Sequence, residues 1–440
     1  MAVFRLTADH LTPFDFLAGA VVIKEGWTIG ETLTENWEFI GAGSPTILLA
    51  EIAELNALLG NAREWAVDPL RYNPTWLELQ TDDEGPVRRR LVLDGGRGFL
   101  NRTGINPLLT NQRIALDVSL EFAYPWWEEQ TETTVYNDTI SCLGGTVTIP
   151  LGGDMDGRIS RIRLDNLVDP GLMTQFWIGI RQVYDGTSDL VNVWSCSLGS
   201  NGTDASNTAD SDCVSGNRKT ITFGTTTLAK RTAITYDDLI GASDSTHLRG
   251  RYLVLLRYKL PTSASAVNLQ MRYGFSGDTK AIQEDVIVTT GGSGMSTYGV
   301  VELGMVQFPP GIPRGKITDL SECEIDIYAE RITGSTQLYL AELLLIPADH
   351  LLRITGASVG PSTGDLETNI YTHEDEEVSS FGYDLLPNVN ARPEPENWRL
   401  PYQEDSVLIL VGALSATELR EADVITLSLY AHYCWQNYTK

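Results

Sequence analysis

The stretch that most constrains the fold lies between His247 and Pro347. Arg251–Leu260, Ala266–Tyr273, Gly299–Phe308, Cys323–Glu330 and Leu338–Pro347 follow one another with turn-rich breaks between them. Most of these runs alternate apolar and polar residues, the period of two that a strand with one buried face requires. A succession of this kind predicts an antiparallel sandwich. The fold class expected for the whole chain is mainly β: antiparallel β-sandwich or jelly-roll domains, with one N-terminal α-helix packed on a sheet.

That helix is predicted over 45–66. Ser44 can cap it and Pro45 suits the first helical position. Leu48, Ile52, Leu55, Leu59 and Ala62 form one stripe at helical spacing. Strand-like runs flank it, including Trp76–Gln80, Val87–Asp94 and the strictly alternating Ile114–Phe122. With 440 residues the chain exceeds one ordinary core. Three parts are expected: a β-rich unit over 1–130, a jelly-roll sandwich over 131–355, and a C-terminal extension over 356–440. The strands 406–411 and 424–435 of that extension are expected to return to the first unit. A polar stretch at 199–219 reads as a long loop, either mobile or at a subunit contact.

Charge and cysteine usage narrow the function classes. The formal net charge is −26, from 32 basic and 58 acidic residues. Such a surface is repelled by phosphate backbones and anionic membranes, which argues against sequence-specific nucleic-acid binding. No run reaches the ~18 apolar residues of a membrane span, so no membrane insertion is expected. The N-terminal residues lack a basic-then-apolar signal, and folding in a cytoplasm is the expectation. Five cysteines without a Cys-x-x-Cys indicate neither a disulfide framework nor a zinc ribbon. Cys196 and Cys213 flank one polar segment, where free thiols and a pair both remain open.

The motifs of common chemistries are missing from the sequence. His10, His247, His350, His373 and His432 are scattered without metal-ligand spacing. Asp154-Met-Asp-Gly157 begins like an oxygen-ligand loop, but the bidentate Glu does not follow. Asp204, Asp210 and Asp212 share the polar segment, where a solvated loop outweighs a cation site. There is no Walker loop or dinucleotide fingerprint. No enzyme activity, cofactor or metal is expected. Arg88-Arg-Arg90 reads as an exposed strand edge blunted by charge, or as a salt-bridge contact with an acidic neighbour subunit. Among the ten tryptophans, Trp177 reads as core and Trp194 as the candidate exposed platform for a sugar.

Several stretches together resemble tail-associated structural proteins of tailed bacteriophages. They are Phe4–His10 followed by Phe14–Leu17, a helix ending Asn61–Trp65, then Thr75–Gln80, Arg90–Gly95 and Phe122–Glu128. Phe176–Arg181 and Leu338–Pro347 resemble the carbohydrate-module-like jelly roll inserted in some of those proteins. The role this resemblance implies is that of a distal tail protein. Such proteins form a homo-oligomeric ring, commonly a hexamer, that joins the tail tube to hub, baseplate or fibres of the virion tail. It also implies an acidic lumen that lets DNA pass without sticking. A glycan-binding module for host recognition and a head decoration protein are the alternatives.

Overall fold

The computed structural model describes residues 3–23, 33–68, 71–80, 85–94, 110–149, 155–165, 173–182, 192–235, 250–275, 277–282, 285–308, 323–334, 337–348, 351–359, 406–416, 418–420 and 422–435, with short strands between 365 and 400. The protein is mostly strand, arranged as four antiparallel sheets among these residues, with the single helix Pro45–Val67. His247, His350, His373 and Asp154 lie outside the described residues.

The N-terminal unit forms where the helix closes one face of a sheet. Thr34–Gly43 runs antiparallel to Gln112–Phe122, from Thr34↔Glu121 to Gly43↔Gln112. The Ser44 side chain accepts from the Ile47 N–H, and Pro45 opens the first turn. Leu48, Ile52, Leu55, Leu59 and Ala62 are all buried, with Leu58 and Trp65 beside them. All but Trp65, which packs with Trp76 and Leu91, meet Phe4, Phe16, Trp37, Phe39, Leu77 and Val92 in one core. Within it the Phe4 and Phe16 rings lie 4.8 Å apart, and Phe16 meets Trp37 edge-on at 5.5 Å.

A second sandwich follows. One layer holds Thr133–Ser141, Met155–Asp165 and Val424–Trp435; the other holds Leu143–Ile149, Ser406–Ala413, Met173–Gln182 and Leu351–Val359. Ile140, Ile162, Phe176, Ile178, Leu408, Leu410, Leu427 and Leu429 fill the space between them. The closing strand Val424–Trp435 pairs along most of its length with Thr133–Ser141 and Met155–Asp165. Its last residues, Cys434 and Trp435, register with Glu128 and Trp127 of the N-terminal sheet. Met155–Asp165 and Met173–Gln182, within the span 131–355 expected as the jelly roll, therefore pair with strands from beyond residue 350.

The third sandwich is built from 192–347. One sheet orders Ala205–Ala209, Asn217–Thr222, Gln337–Pro347, Gly250–Lys259 and Gly299–Phe308, with Val193–Ser195 also on Gln337–Pro347. The other contains Ser200–Asn201, Ala229–Thr235, Cys323–Thr333, Ala266–Phe275 and the short Lys280–Ala281 and Val286–Thr289. Alternate residues of both sheets, such as Val254, Leu256, Leu269, Met271, Ile325, Ile327, Leu343 and Leu345, form its core. The stretch expected as a loop at 199–219 instead carries the hairpin of Ala205–Ala209 with Asn217–Thr222. Ala205–Ala209 is an edge strand whose side chains are largely exposed. Backbone pairing holds most of it, with only Ala205 packed on the core, so it shows no apolar alternation.

One sheet is covered on both faces. Leu408 and Leu410 point into the second sandwich, while Ile409 and Val411 point the other way. There they meet Trp177, Leu253, Leu255, Leu344 and Ile346, so the third sandwich packs on the back of the second. Double coverage accounts for the unbroken apolar run Val407–Val411.

Candidate functional site

The outer face of the sheet carrying Ala229–Thr235, Cys323–Thr333 and Ala266–Phe275 presents a built array of polar side chains. Strand alternation makes it: Cys323, Ile325, Ile327 and Ala329 go to the core, and Glu324, Asp326, Tyr328 and Glu330 go outward. On the neighbouring strand Asn268, Gln270 and Arg272 are the outward set. The register then fixes three facing pairs, Asn268↔Glu330, Gln270↔Tyr328 and Arg272↔Asp326. Lys230 faces Tyr328 from the far side.

These groups hold one another in place. Asn268 Nδ2 donates to Asp285 Oδ2 at 2.7 Å and to Glu330 Oε1 at 2.9 Å. Gln270 Nε2 donates to Asp285 Oδ1 at 2.6 Å and its Oε1 accepts from Arg272 Nε at 2.6 Å. The Arg272 guanidinium sits 4.0 Å above the Tyr328 ring. Lys230 Nζ lies 2.6 Å from Asp326 and 3.2 Å from Glu324, while Thr279 donates to the other Asp326 oxygen at 2.6 Å. Burial alone lowers the Lys230 pKa, but Asp326 and Glu324 outweigh it and hold the ammonium above its usual value. Ile287, opposite Asn268 and well exposed, adds an apolar contact at the rim. Amide donors and acceptors, carboxylates and a capped aromatic ring on a rigid sheet suit recognition of sugar hydroxyls more than proton transfer.

The residues singled out in the sequence fall elsewhere. Trp194 is 4% exposed, registers with Leu343 and packs in the core of the third sandwich. Its ring therefore presents no platform to solvent, which corrects that expectation. Trp177 is buried as expected, its Nε1 donating to Glu302 at 2.7 Å. Arg88–Arg90 do not form an exposed edge. Arg90 is fully buried, with Nη1 2.5 Å from Glu35, and its guanidinium lies over the Phe122 ring. Arg89 pairs with Glu128 at 2.9 Å and stacks on Trp76.

Asp204 pairs with Arg231 at 3.1 Å, whereas Asp210 pairs with Arg218 at 2.6 Å and accepts from the Tyr298 hydroxyl. The three aspartates do not converge. Cys196 and Cys213 are buried free thiols. Burial and the nearby Glu342 carboxylate push Cys213 up to about 12. His432 is buried, with Nδ1 2.6 Å from the Glu129 carbonyl and Nε2 3.1 Å from Arg89 Nη2. A guanidinium only donates, so Nε2 accepts and Nδ1 carries the proton given to Glu129. That fixes a neutral, structural histidine at the joint between N-terminal sheet and closing strand. Sequence reading missed the array around Gln270 and Tyr328. The signal was present in the polar positions of the alternating runs, which had served only to mark the buried face.

Neither a protein-family model nor a curated protein matches the chain. Among solved structures, a likeness at TM-score 0.22 and 10% identity is found to a GH26-CBM35 β-(1,4)-mannanase of Podospora anserina, covering 39% of this chain and 28% of that one. Another, to the module CtCBM11, has TM-score 0.20 and 15% identity and covers 39% of this chain and 96% of the module. A third, to a chain of the phage P2 baseplate in its activated conformation with Ca, has TM-score 0.19 and 11% identity over 79% of this chain and 99% of that one. At scores this low these likenesses carry no argument about fold or function. No helix among the described residues is long and apolar enough to cross a membrane.

Proposed function

We propose that the chain is a structural protein of a bacteriophage tail tip, of the distal-tail or baseplate type, acting in the virion as a homo-oligomeric ring. The observation that supports this best is topological. One closing strand, Val424–Trp435, ties the N-terminal sheet to the second sandwich, and the third sandwich hangs from that scaffold between two paired strands. A scaffold with a laterally attached module fits a ring that must bind neighbours along an axis and still reach outward. The resemblance of Phe4–His10, Asn61–Trp65 and Phe122–Glu128 to tail proteins points the same way. A charge of −26 would keep passing DNA from sticking to a ring lumen. Light scattering of the purified chain, with electron microscopy of particles carrying a tagged copy, tests the proposal. A hexamer-sized species and label at the tail tip are expected. A strict monomer at high concentration, with label on the head or none, would sink it.

The second reading is a glycan-binding role of the third sandwich, which the face around Asn268, Gln270 and Tyr328 favours. A glycan array with the wild-type chain and with Gln270→Ala and Tyr328→Ala discriminates. Binding lost in both variants supports this reading, and binding unchanged in both removes it.

A further inference from the structure

We propose that the seam between the third sandwich and the turn preceding the closing strand is a binding pocket for a small carboxylate ligand. A cavity of about 500 Å³ lies there, with Arg257 in its wall. That size falls in the usual range for small-molecule sites.

Arg257 is 2% exposed, and its hydrogen bonds can be followed proton by proton. Nε donates to the Leu419 carbonyl at 3.0 Å. Nη1 donates to the Asp212 carbonyl and to Glu342 Oε2, each at 2.9 Å. Those bonds use the Nε hydrogen and both Nη1 hydrogens. The two on Nη2 have no acceptor among the described residues. A guanidinium offers five N–H donors in a fixed fork. Nη2 therefore gives the cavity wall two oriented donors, and a charged oxygen is the acceptor that gains most from them.

The surroundings complete the site. Ser211 and Thr297 place hydroxyls on the lining, and Leu419 and Ala422 give it an apolar side for a carbon skeleton. Of the charges on the described lining, Arg257 is matched by Glu342 and Arg420 by Glu418, and behind it Asp210 is matched by Arg218. Two remain. The Lys259 ammonium lies 5.5 Å from the Tyr298 ring centroid and favours an anion, whereas the exposed Asp212 carboxylate on the lining opposes it. Recognition thus rests on the free Nη2 donors, and Asp212 sets a ceiling on affinity. The same seam is clamped by backbone bonds from Leu419 N–H to the Tyr298 carbonyl and from Val300 N–H to the Ala416 carbonyl. A bound ligand would touch both sandwiches at once.

Titration calorimetry of the full chain with glucuronate, succinate and glucose tests this. Binding of at least one of the two acids in the range of about 1–10 mM is expected, with glucose at least about tenfold weaker. Tighter glucuronate identifies a sugar acid as the source, and tighter succinate a simple organic acid. Asp212→Asn removes the opposing charge and should tighten the acid about two- to fivefold. Arg257→Lys keeps a cation beside Glu342 but loses the fork, and should weaken binding at least about tenfold. Its thermal midpoint is read in parallel. If that variant does not fold, the Asp212→Asn result decides. No heat with either acid, glucose binding as well as glucuronate, or no gain in Asp212→Asn would each overturn the proposal.

Discussion

The second and third sandwiches are similar in construction and opposite in how the chain supplies them. The third draws every strand from the contiguous span 192–347. The second takes its strands from 133–182 and from 351–435, and its central strand Val424–Trp435 comes last of all. Contiguity makes the third an autonomous unit of local pairings. The second cannot close until Val424–Trp435 is in place, because loop closure across hundreds of residues must come before its strand pairs form. A module of contiguous strands and a scaffold closed by a distant strand are thus written into one chain.

The largest expected effect breaks this contrast directly. Deleting 424–435 removes the strand between Thr133–Ser141 and Met155–Asp165 and should abolish cooperative unfolding of the second sandwich. Amide hydrogen exchange should still show protected strands in 192–347. Equal loss of protection in both would show that the two are one folding unit.

Next in size are the buried ion pairs. Glu342→Ala leaves the Arg257 guanidinium buried without its carboxylate and should cost about 3–5 kcal/mol in denaturant unfolding. Glu35→Ala should cost a similar amount through Arg90 in the N-terminal unit. A loss below about 1 kcal/mol in either variant would mean that water reaches the guanidinium.

Acid sharpens the comparison within the third sandwich. Burial alone raises the Asp210 pKa, but the Tyr298 hydroxyl, the Asp212 N–H and Arg218 together hold it below the usual carboxylate range. Its stabilising contribution is therefore complete above about pH 4 and lost as pH falls through the lowered folded value. Asp210→Asn should flatten that acid limb, read as unfolding midpoints at a series of pH values. The smallest effect lies in the helix. A Cβ at Gly60 meets nothing within 4 Å, so Gly60→Ala should stabilise by about 1 kcal/mol, measured by thermal melting.

How much of this was legible follows from which partners are local. The helix could be read residue by residue, since its cap and apolar stripe depend on spacing within one element. The alternating runs of 251–347 were legible for the same reason. Arg90 was not, because the carboxylate that permits its burial stands 55 residues earlier, on another strand. Trp194 misled because the residues after it are polar, whereas its own strand lies against Gln337–Pro347, where side chains alternate into the core. The strands 155–165 and 173–182 were visible as strands, but their partners beyond residue 351 were not.

The pairing of Met173–Gln182 with Leu351–Val359 has a practical consequence. Gly179 and Leu351 register across one ladder and the first strand runs on only to Gln182, so the chain leaves the scaffold and re-enters it roughly 10 Å apart. Residues 192–347 thus form a cassette: any domain whose ends lie that close could be spliced in without moving the host strands. The graft has one further requirement. Trp177, Ile409 and Val411 would lose their cover, and the newcomer must bring an apolar face to seal them.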